Sequence, residues 1–220
     1  MTGWTAVLPV KPWHLAKSRL AGSRVLRSRL ARAFTLDVLD TLQQSSRIER
    51  IIVVSADAGV AAWATQAGVD FVVDGPSGSR DPLNQAVDRA REHALAHYPE
   101  DRIVVVPGDL AGVTVGALDE ALDEMALSRR SFIRDATGVG TTLVTAMRPA
   151  WLVTSYGPGS GGAHVNLGLT EATGVASSTR HDIDTWKDLL EAASEPLGRR
   201  TRAVLSSMGL CPTVEPSLLR

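Results

Sequence analysis

Along the chain, short runs of apolar and β-branched residues alternate with longer stretches in which apolar positions recur every three or four residues. Residues 4–10 (WTAVLPV) predict a first strand. Residues 24–43 predict a helix, because Leu26, Leu30, Phe34, Val38 and Leu42 recur every four residues and mark one buried face. Residues 50–54 (RIIVV) form an almost wholly apolar run, as expected of a strand covered on both faces. Ser55-Ala-Asp57 supplies a cap for the next helix and Gly68 an end to it. Residues 70–73 (DFVV) predict a third strand. Asp81-Pro82 then opens a helix to about His97, with an N-cap followed by proline at the first helical position.

Residues 102–106 (RIVVV) predict a fourth strand and 114–127 a helix. Residues 131–134 and 141–147 read as strands around a glycine-bearing turn, and the glycine-rich residues 155–164 read as a loop. A helix is predicted over 185–195, where Thr185-Trp-Lys-Asp188 resembles a capping box with Asp in place of Glu. A last helix is expected over 197–208. Strands alternating with helices predict an α/β protein of Rossmann-like type, a mostly parallel sheet with helices on both faces. Ligands of such sheets lie at the carboxyl ends of the strands. The loops after Pro9, Val54, Val73 and Val106, with the late glycine-rich loop, are therefore the candidate site.

The length of 220 residues suits a single domain, expected over 1–211 with a tail at 212–220. A net charge of −1 gives no bulk attraction to nucleic acid or a membrane surface, and no such partner is expected. Cys211 is the only cysteine, which excludes an internal disulfide and a cysteine-based zinc site. The first residues lack the basic start and apolar run of a signal peptide, so the expected location is the cytoplasm.

After the first predicted strand, Lys11, Lys17, Ser18 and Arg19 fall within nine residues and precede a helix. Cations and a helix N-terminus at a strand's carboxyl end suit a triphosphate, although a solvated basic loop would have the same composition. The Walker pattern is absent. Asp109 ends the buried fourth strand, where its carboxylate would project into the cleft and suit Mg²⁺. Asp182-Ile-Asp184 places two further carboxylates on one face of an extended segment; a turn or cap role is the competing reading for each. Two loops, Asp135–Thr142 by number 135–142 and the run 156–162, bring Gly, Thr and Ser together for an anion. The second fits Gly-x-Gly-x-x-Gly but is not a first strand-to-helix turn, so it is no dinucleotide fingerprint. Ser160, His164 and Asp182 lack a nucleophile elbow, since Pro158 stands where its first glycine should be. His93 and His97 share a helix face without the Glu of a zinc protease and read as a solvated pair.

Leu8-Pro-Val-Lys11-Pro, Ala16-Lys-Ser-Arg-Leu20, Leu83-Asn84-Gln-Ala86, Asp109-Leu110, Gly140-Thr141-Thr142, Tyr156-Gly157-Pro-Gly-Ser160 with His164, and Asp182-Ile-Asp184-Thr185 occur in that order. This order resembles the 2-phospholactate/phosphoenolpyruvate guanylyltransferases of coenzyme F-420 biosynthesis, which share the fold of molybdenum-cofactor and nucleotide-diphospho-sugar transferases. The resemblance implies that GTP and a phosphorylated three-carbon acid give a guanylylated product and pyrophosphate, with Mg²⁺ as cofactor. It further implies acceptor contacts at Thr142, Gly157 and Ser160, and metal ligands at Asp109 and at Asp182 or Asp184. Triphosphate contacts are implied at Lys11, Lys17 and Arg19, with Asn84 near the nucleotide and Lys17 and Asp109 catalytic. A downstream transferase that uses the product is an implied partner. Ala111 replaces the family's usual proline, and Gly140-Thr141-Thr142 is closer to actinobacterial members, whose acceptor is phosphoenolpyruvate. The Gly-Gly-x-Gly opening of molybdopterin- and sugar-phosphate-dependent relatives is absent; Pro9-Val-Lys11-Pro12 stands there. The other readings are a transferase of this fold with another acceptor, and a catalytically silent nucleotide-binding domain.

Overall fold

A computed structural model describes residues 3–17, 20, 22–75, 81–192 and 197–209. In chain order the elements are β1 (Trp4–Pro9), α1 (Arg24–Gln44), β2 (Ile48–Ser55), α2 (Ala58–Ala67), β3 (Asp70–Val73), α3 (Pro82–His97) and β4 (Arg102–Val105). Then follow α4 (Val115–Met125), β5 (Arg130–Arg134), β6 (Thr141–Ala146), α5 (Ser160–Asn166), β7 (Thr170–Glu171), α6 (Trp186–Ala192) and α7 (Arg199–Ser206). The strands form one seven-stranded sheet in the order β3-β2-β1-β4-β6-β5-β7.

Alternation along the central strands sends side chains into two cores, as the apolar runs require. Ala6, Leu8, Val53 and Val104 pack with Val38 and Leu42 of α1, Val60 of α2 and Leu118 of α4. Val7, Ile52, Val54, Ile103 and Val105 point the other way, against Val87, Ala90 and Ala94 of α3. A third cluster joins Leu30 and Phe34 of α1 to Ile183, Leu189 of α6 and Leu205 of α7. It anchors the C-terminal segment against the stretch after β4, where the Gly198 N–H donates to the Ala111 carbonyl at 3.1 Å.

Several local expectations hold to the atom. Asp57 accepts from the Gly59 N–H, and Gly68 closes α2 at φ 68°. Asp81 caps α3 ahead of Pro82. Thr185 Oγ1 accepts from the Asp188 N–H at 3.3 Å while Asp188 Oδ2 accepts from the Thr185 N–H at 2.6 Å, the reciprocal bonds of a capping box. His93 differs from the solvated reading: its ring stacks on His97 at 4.2 Å and its Nε2 lies 3.1 Å from Asp70 Oδ2.

The second half of the sheet departs from a simple parallel succession. β1, β2, β3 and β4 run parallel, but β6 inserts between β4 and β5 and runs antiparallel to both. The short connection from β5 to β6 forces that direction, because a parallel return needs a long crossover. Glycine-rich residues 155–164, expected as a loop throughout, become helical from Ser160. Packing of His164 against Phe132 and Tyr156 supports this short helix in spite of Gly161 and Gly162. Two-residue β7 pairs with β5 and is too short to leave a periodic signal.

Candidate active site

A cleft of about 570 Å³ opens at the carboxyl ends of the parallel strands, lined among others by Lys11, Lys17, Asp74, Leu83, Asp109 and Asp184. Lys17 is held there in the left-handed region at φ 56°, the only non-glycine residue so placed among the described residues. That conformation costs an L-residue about 1–2 kcal/mol and persists only where surroundings hold it. Its Nζ supplies the hold, donating to Asp109 Oδ2 at 2.7 Å and to Asp184 Oδ1 at 2.9 Å, with the side chain 9% exposed. Burial disfavours the charge on Lys17, but the two carboxylates more than offset it, and the pKa is raised. The residue is a fixed ammonium.

Asp109 follows β4, and Ile183 explains how the other carboxylates reach it. The Ile183 N–H donates to the Asp109 carbonyl at 3.1 Å, and its side chain is buried in the third core cluster. Asp182 and Asp184, one residue to either side, are thereby turned to the opposite face, as the spacing predicts. Asp109, Asp182 and Asp184 each offer an oxygen, all within 4.8 Å of one another. Burial and the charges of Asp109 and Asp184 push the Asp182 pKa up to about 7. Asp109 Oδ1 is buried and takes no hydrogen bond from the described residues. Crowded carboxylates with an unsatisfied buried oxygen form the all-oxygen donor set that a hard divalent cation takes. The residues fit such a metal.

Residues 4–218 match the family described as "Guanylyl transferase CofC like". The chain belongs to this family. Phosphoenolpyruvate guanylyltransferase of Streptomyces scabiei is 33% identical over 209 residues, which cover 93% of this chain and 97% of that one. Phosphoenolpyruvate guanylyltransferase 2 of Rhodococcus jostii is 34% identical over 205 residues, covering 93% and 91%. Among solved structures, a Desulfovibrio desulfuricans G20 protein described as a nucleotide-diphospho-sugar transferase superposes with a TM-score of 0.71 at 15% identity, covering 95% and 96% of the two chains. A Mycobacterium tuberculosis H37Rv protein solved with manganese gives a TM-score of 0.52 at 20% identity over 87% and 98%. The fold is thus that of the nucleotide-diphospho-sugar transferases.

Within this guanylyl transferase fold, the second glycine-rich loop is bound to two elements. Asn84 of α3 clamps Tyr156: its Nδ2 donates to the Tyr156 carbonyl at 2.9 Å and its Oδ1 accepts from the Tyr156 N–H at 2.9 Å. The same Nδ2 reaches Asp81. The Tyr156 hydroxyl donates to the Thr142 carbonyl at 3.1 Å, and burial together with the charge of Asp109 pushes the phenol pKa up. His164 of α5 is fully buried; its Nε2 accepts from the Ser155 N–H at 3.0 Å, which places the proton on Nδ1, 2.9 Å from Thr141 Oγ1. Burial lowers its pKa to about 4, so the ring is neutral. This imidazole links the two glycine loops and takes no part in a Ser160–His164–Asp182 triad.

The structure therefore gathers Lys11, Lys17, Asp109, Asp182 and Asp184 into one locale. Gly157 and Gly159 turn the adjoining loop with φ of 141° and 73°, ahead of a buried Ser160. The Thr142 hydroxyl is directed elsewhere, donating to the Thr179 carbonyl at 2.7 Å inside the fold. Asn84 likewise uses both ends of its amide on protein. Ser18 and Arg19 lie outside the described residues. The sequence flags the loop after Val73 without singling out Asp74, and it carries His164 in a motif without the positioning role that its bonds to Ser155 and Thr141 give it.

Proposed function

We propose that this chain transfers the guanylyl group of GTP to phosphoenolpyruvate and releases pyrophosphate, as a step of coenzyme F-420 biosynthesis. The observation that carries the reading is the meeting of Lys17 with Asp109, Asp182 and Asp184 at the mouth of the sheet, in a chain of the CofC-like family. Relatives that span nearly the whole chain bear the name phosphoenolpyruvate guanylyltransferase, which favours that acceptor over 2-phospholactate or 3-phosphoglycerate. A catalytically silent copy would have no reason to keep three carboxylates and a lysine in this costly arrangement.

In the reaction, an oxygen of the acceptor phosphate attacks the α-phosphorus of GTP. One P–O bond forms as the bond to the departing pyrophosphate breaks. The attacking phosphate is already ionised, so no general base is required, and the site must hold two anions together in line. Lys17 is placed to neutralise charge on the nucleotide, with Lys11 and Arg19 as further phosphate contacts. Gly157 and Ser160 are the proposed contacts of the acceptor acid, with Thr142 acting through the shape of the loop. Asp109, Asp182 and Asp184 would hold Mg²⁺, which when bound would supply positive charge against that of the phosphates.

Asn84 belongs to this scheme through its clamp on Tyr156. No helix among the described residues is long and apolar enough to cross a membrane. We place the enzyme in the cytoplasm as a single domain over 1–211, handing its product to a downstream transferase. Mass spectrometry of the product formed from GTP with phosphoenolpyruvate, 2-phospholactate or 3-phosphoglycerate tests the acceptor. Accumulation of the guanylylated enolpyruvate adduct is expected, and a preference for either other acid would refute it.

A further inference from the structure

Among the described residues, three carboxylates line the cleft, and two of them, Asp109 and Asp184, hold Lys17. The third, Asp74, stands apart. It directly follows β3, its N–H donating to the Ser55 carbonyl at 2.9 Å, and its side chain is 26% exposed. Asp74 Oδ1 accepts from the Gly75 N–H at 2.8 Å and lies 3.7 Å from Arg89 Nε. Both contacts are made by Oδ1. Among the described residues, Oδ2 accepts no hydrogen bond.

Sheet order gives Asp74 its meaning. The strands β3, β2, β1 and β4 are successive neighbours, so their carboxyl ends present Asp74, Ala56, Lys11 and Asp109 in a row. At about 4.8 Å per strand, Asp74 and Asp109 stand roughly 14 Å apart. The reacting phosphate belongs at the Asp109 end, beside the metal ligands and Lys17. A nucleotide laid along the row carries its base, not its ribose, to the β3 end. There the walls are Val54, Pro82, Leu83 and Ala86, apolar surfaces suited to a flat ring. A carboxylate at that place would repel phosphate and can only accept hydrogen bonds. Guanine alone among the common bases offers two adjacent donors, N1–H and the 2-amino group; adenine and cytosine pair a donor with an acceptor, and uracil has one donor between acceptors.

We infer that Asp74 selects guanine, its two carboxylate oxygens accepting from N1–H and the 2-amino group. The inference rests on the reading of the cleft as the nucleotide site and names the residue behind its base specificity.

The test compares steady-state rates of the full chain and of Asp74→Asn with GTP, ITP and XTP, at fixed Mg²⁺ and phosphoenolpyruvate. ITP lacks the 2-amino group, so the unaltered chain should favour GTP over ITP by about tenfold or more, the factor carried by a hydrogen bond to a charged group. Asp74→Asn should lower kcat/KM for GTP by a similar factor and raise the XTP to GTP ratio at least about tenfold, because the amide N–H₂ can donate to the xanthine 2-oxygen. Asp74→Ala should lose the GTP over ITP preference without gaining XTP, which keeps the test open if the amide variant folds poorly. An unchanged GTP to ITP ratio in both variants, or an equal loss on all three nucleotides as a ribose contact would give, overturns the inference. Absence of turnover by the unaltered chain with GTP would instead overturn the activity on which it rests, before any variant is compared.

Discussion

Lys17 shows at the residue scale how much the site depends on charge rather than on a reactive side chain. Its ammonium is the counter-ion of two carboxylates in this structure, at a backbone angle that only such bonds make tolerable. Lys17→Met keeps the stem and removes the charge. With divalent ions chelated, the variant should be less stable by about 1–3 kcal/mol, because a partly buried carboxylate cluster is left without its cation. Excess Mg²⁺ should close most of that gap, and urea unfolding with and without the ion measures it. If Lys17 also stabilises departing pyrophosphate, kcat falls by roughly 10²-fold in saturating Mg²⁺ and GTP; an effect confined to the KM for GTP would limit it to binding. Asp109→Asn keeps the shape and loses a ligand charge. Turnover should drop by at least about 10²-fold while the circular dichroism spectrum is unchanged. Near-normal turnover at high Mg²⁺ would remove Asp109 from the metal site.

At the scale of elements, the two glycine loops and α5 behave as one body because His164 and Asn84 join them. His164 is a positioning residue: it touches Ser155 and Thr141 rather than the reacting groups. If the glycine loop holds the acceptor as proposed, His164→Gln should raise the KM for the acceptor acid about tenfold and leave that for GTP within about twofold, since only that loop loses its support. Equal changes in both constants would make the role purely structural. The ring also predicts acid behaviour. Its pKa in the folded chain lies near 4, below the ordinary 6.5, so as pH falls the unfolded chain binds this proton first. The stabilisation is complete above about pH 6.5 and is lost by about pH 4, with a magnitude on the order of 3 kcal/mol. The stability gap between the parent and His164→Gln should therefore narrow from pH 7 to pH 4.5, and a constant gap would argue against a neutral buried ring.

Legibility in the sequence follows the same divide between local and long-range causes. Caps at Asp57, Asp81 and Thr185 use residues two to four positions apart, and the expectation matched the structure in each case. The alternation around Ile183 likewise predicted which way Asp182 and Asp184 face. Helix α5 was illegible because its stability comes from His164 packing on Phe132 and Tyr156, residues 32 and 8 positions away in the numbering. The direction of Thr142 depends on the Thr179 carbonyl, which no spacing rule brings near.

On the scale of the whole molecule, the sheet order turns scattered residues into a row. Loops after β3, β2, β1 and β4 lie side by side only because β1 sits between β2 and β4 and the chain returns past it from β3 to β4. The α/β class and the strand ends that carry the site follow from apolar runs alone. The insertion of β6 between β4 and β5 does not, since strand neighbours outside parallel crossovers are set by pairing across the chain. That insertion puts Thr141 and Thr142 on a strand beside β4, where Thr141 meets His164 and Thr142 meets the Thr179 carbonyl. The most direct measurement of this account is pyrophosphate release from GTP and Mg²⁺ with and without phosphoenolpyruvate. The account predicts release that requires both substrates and vanishes on chelation of the metal. Release that is indifferent to the acid, or none with GTP while another nucleotide supports it, would contradict it.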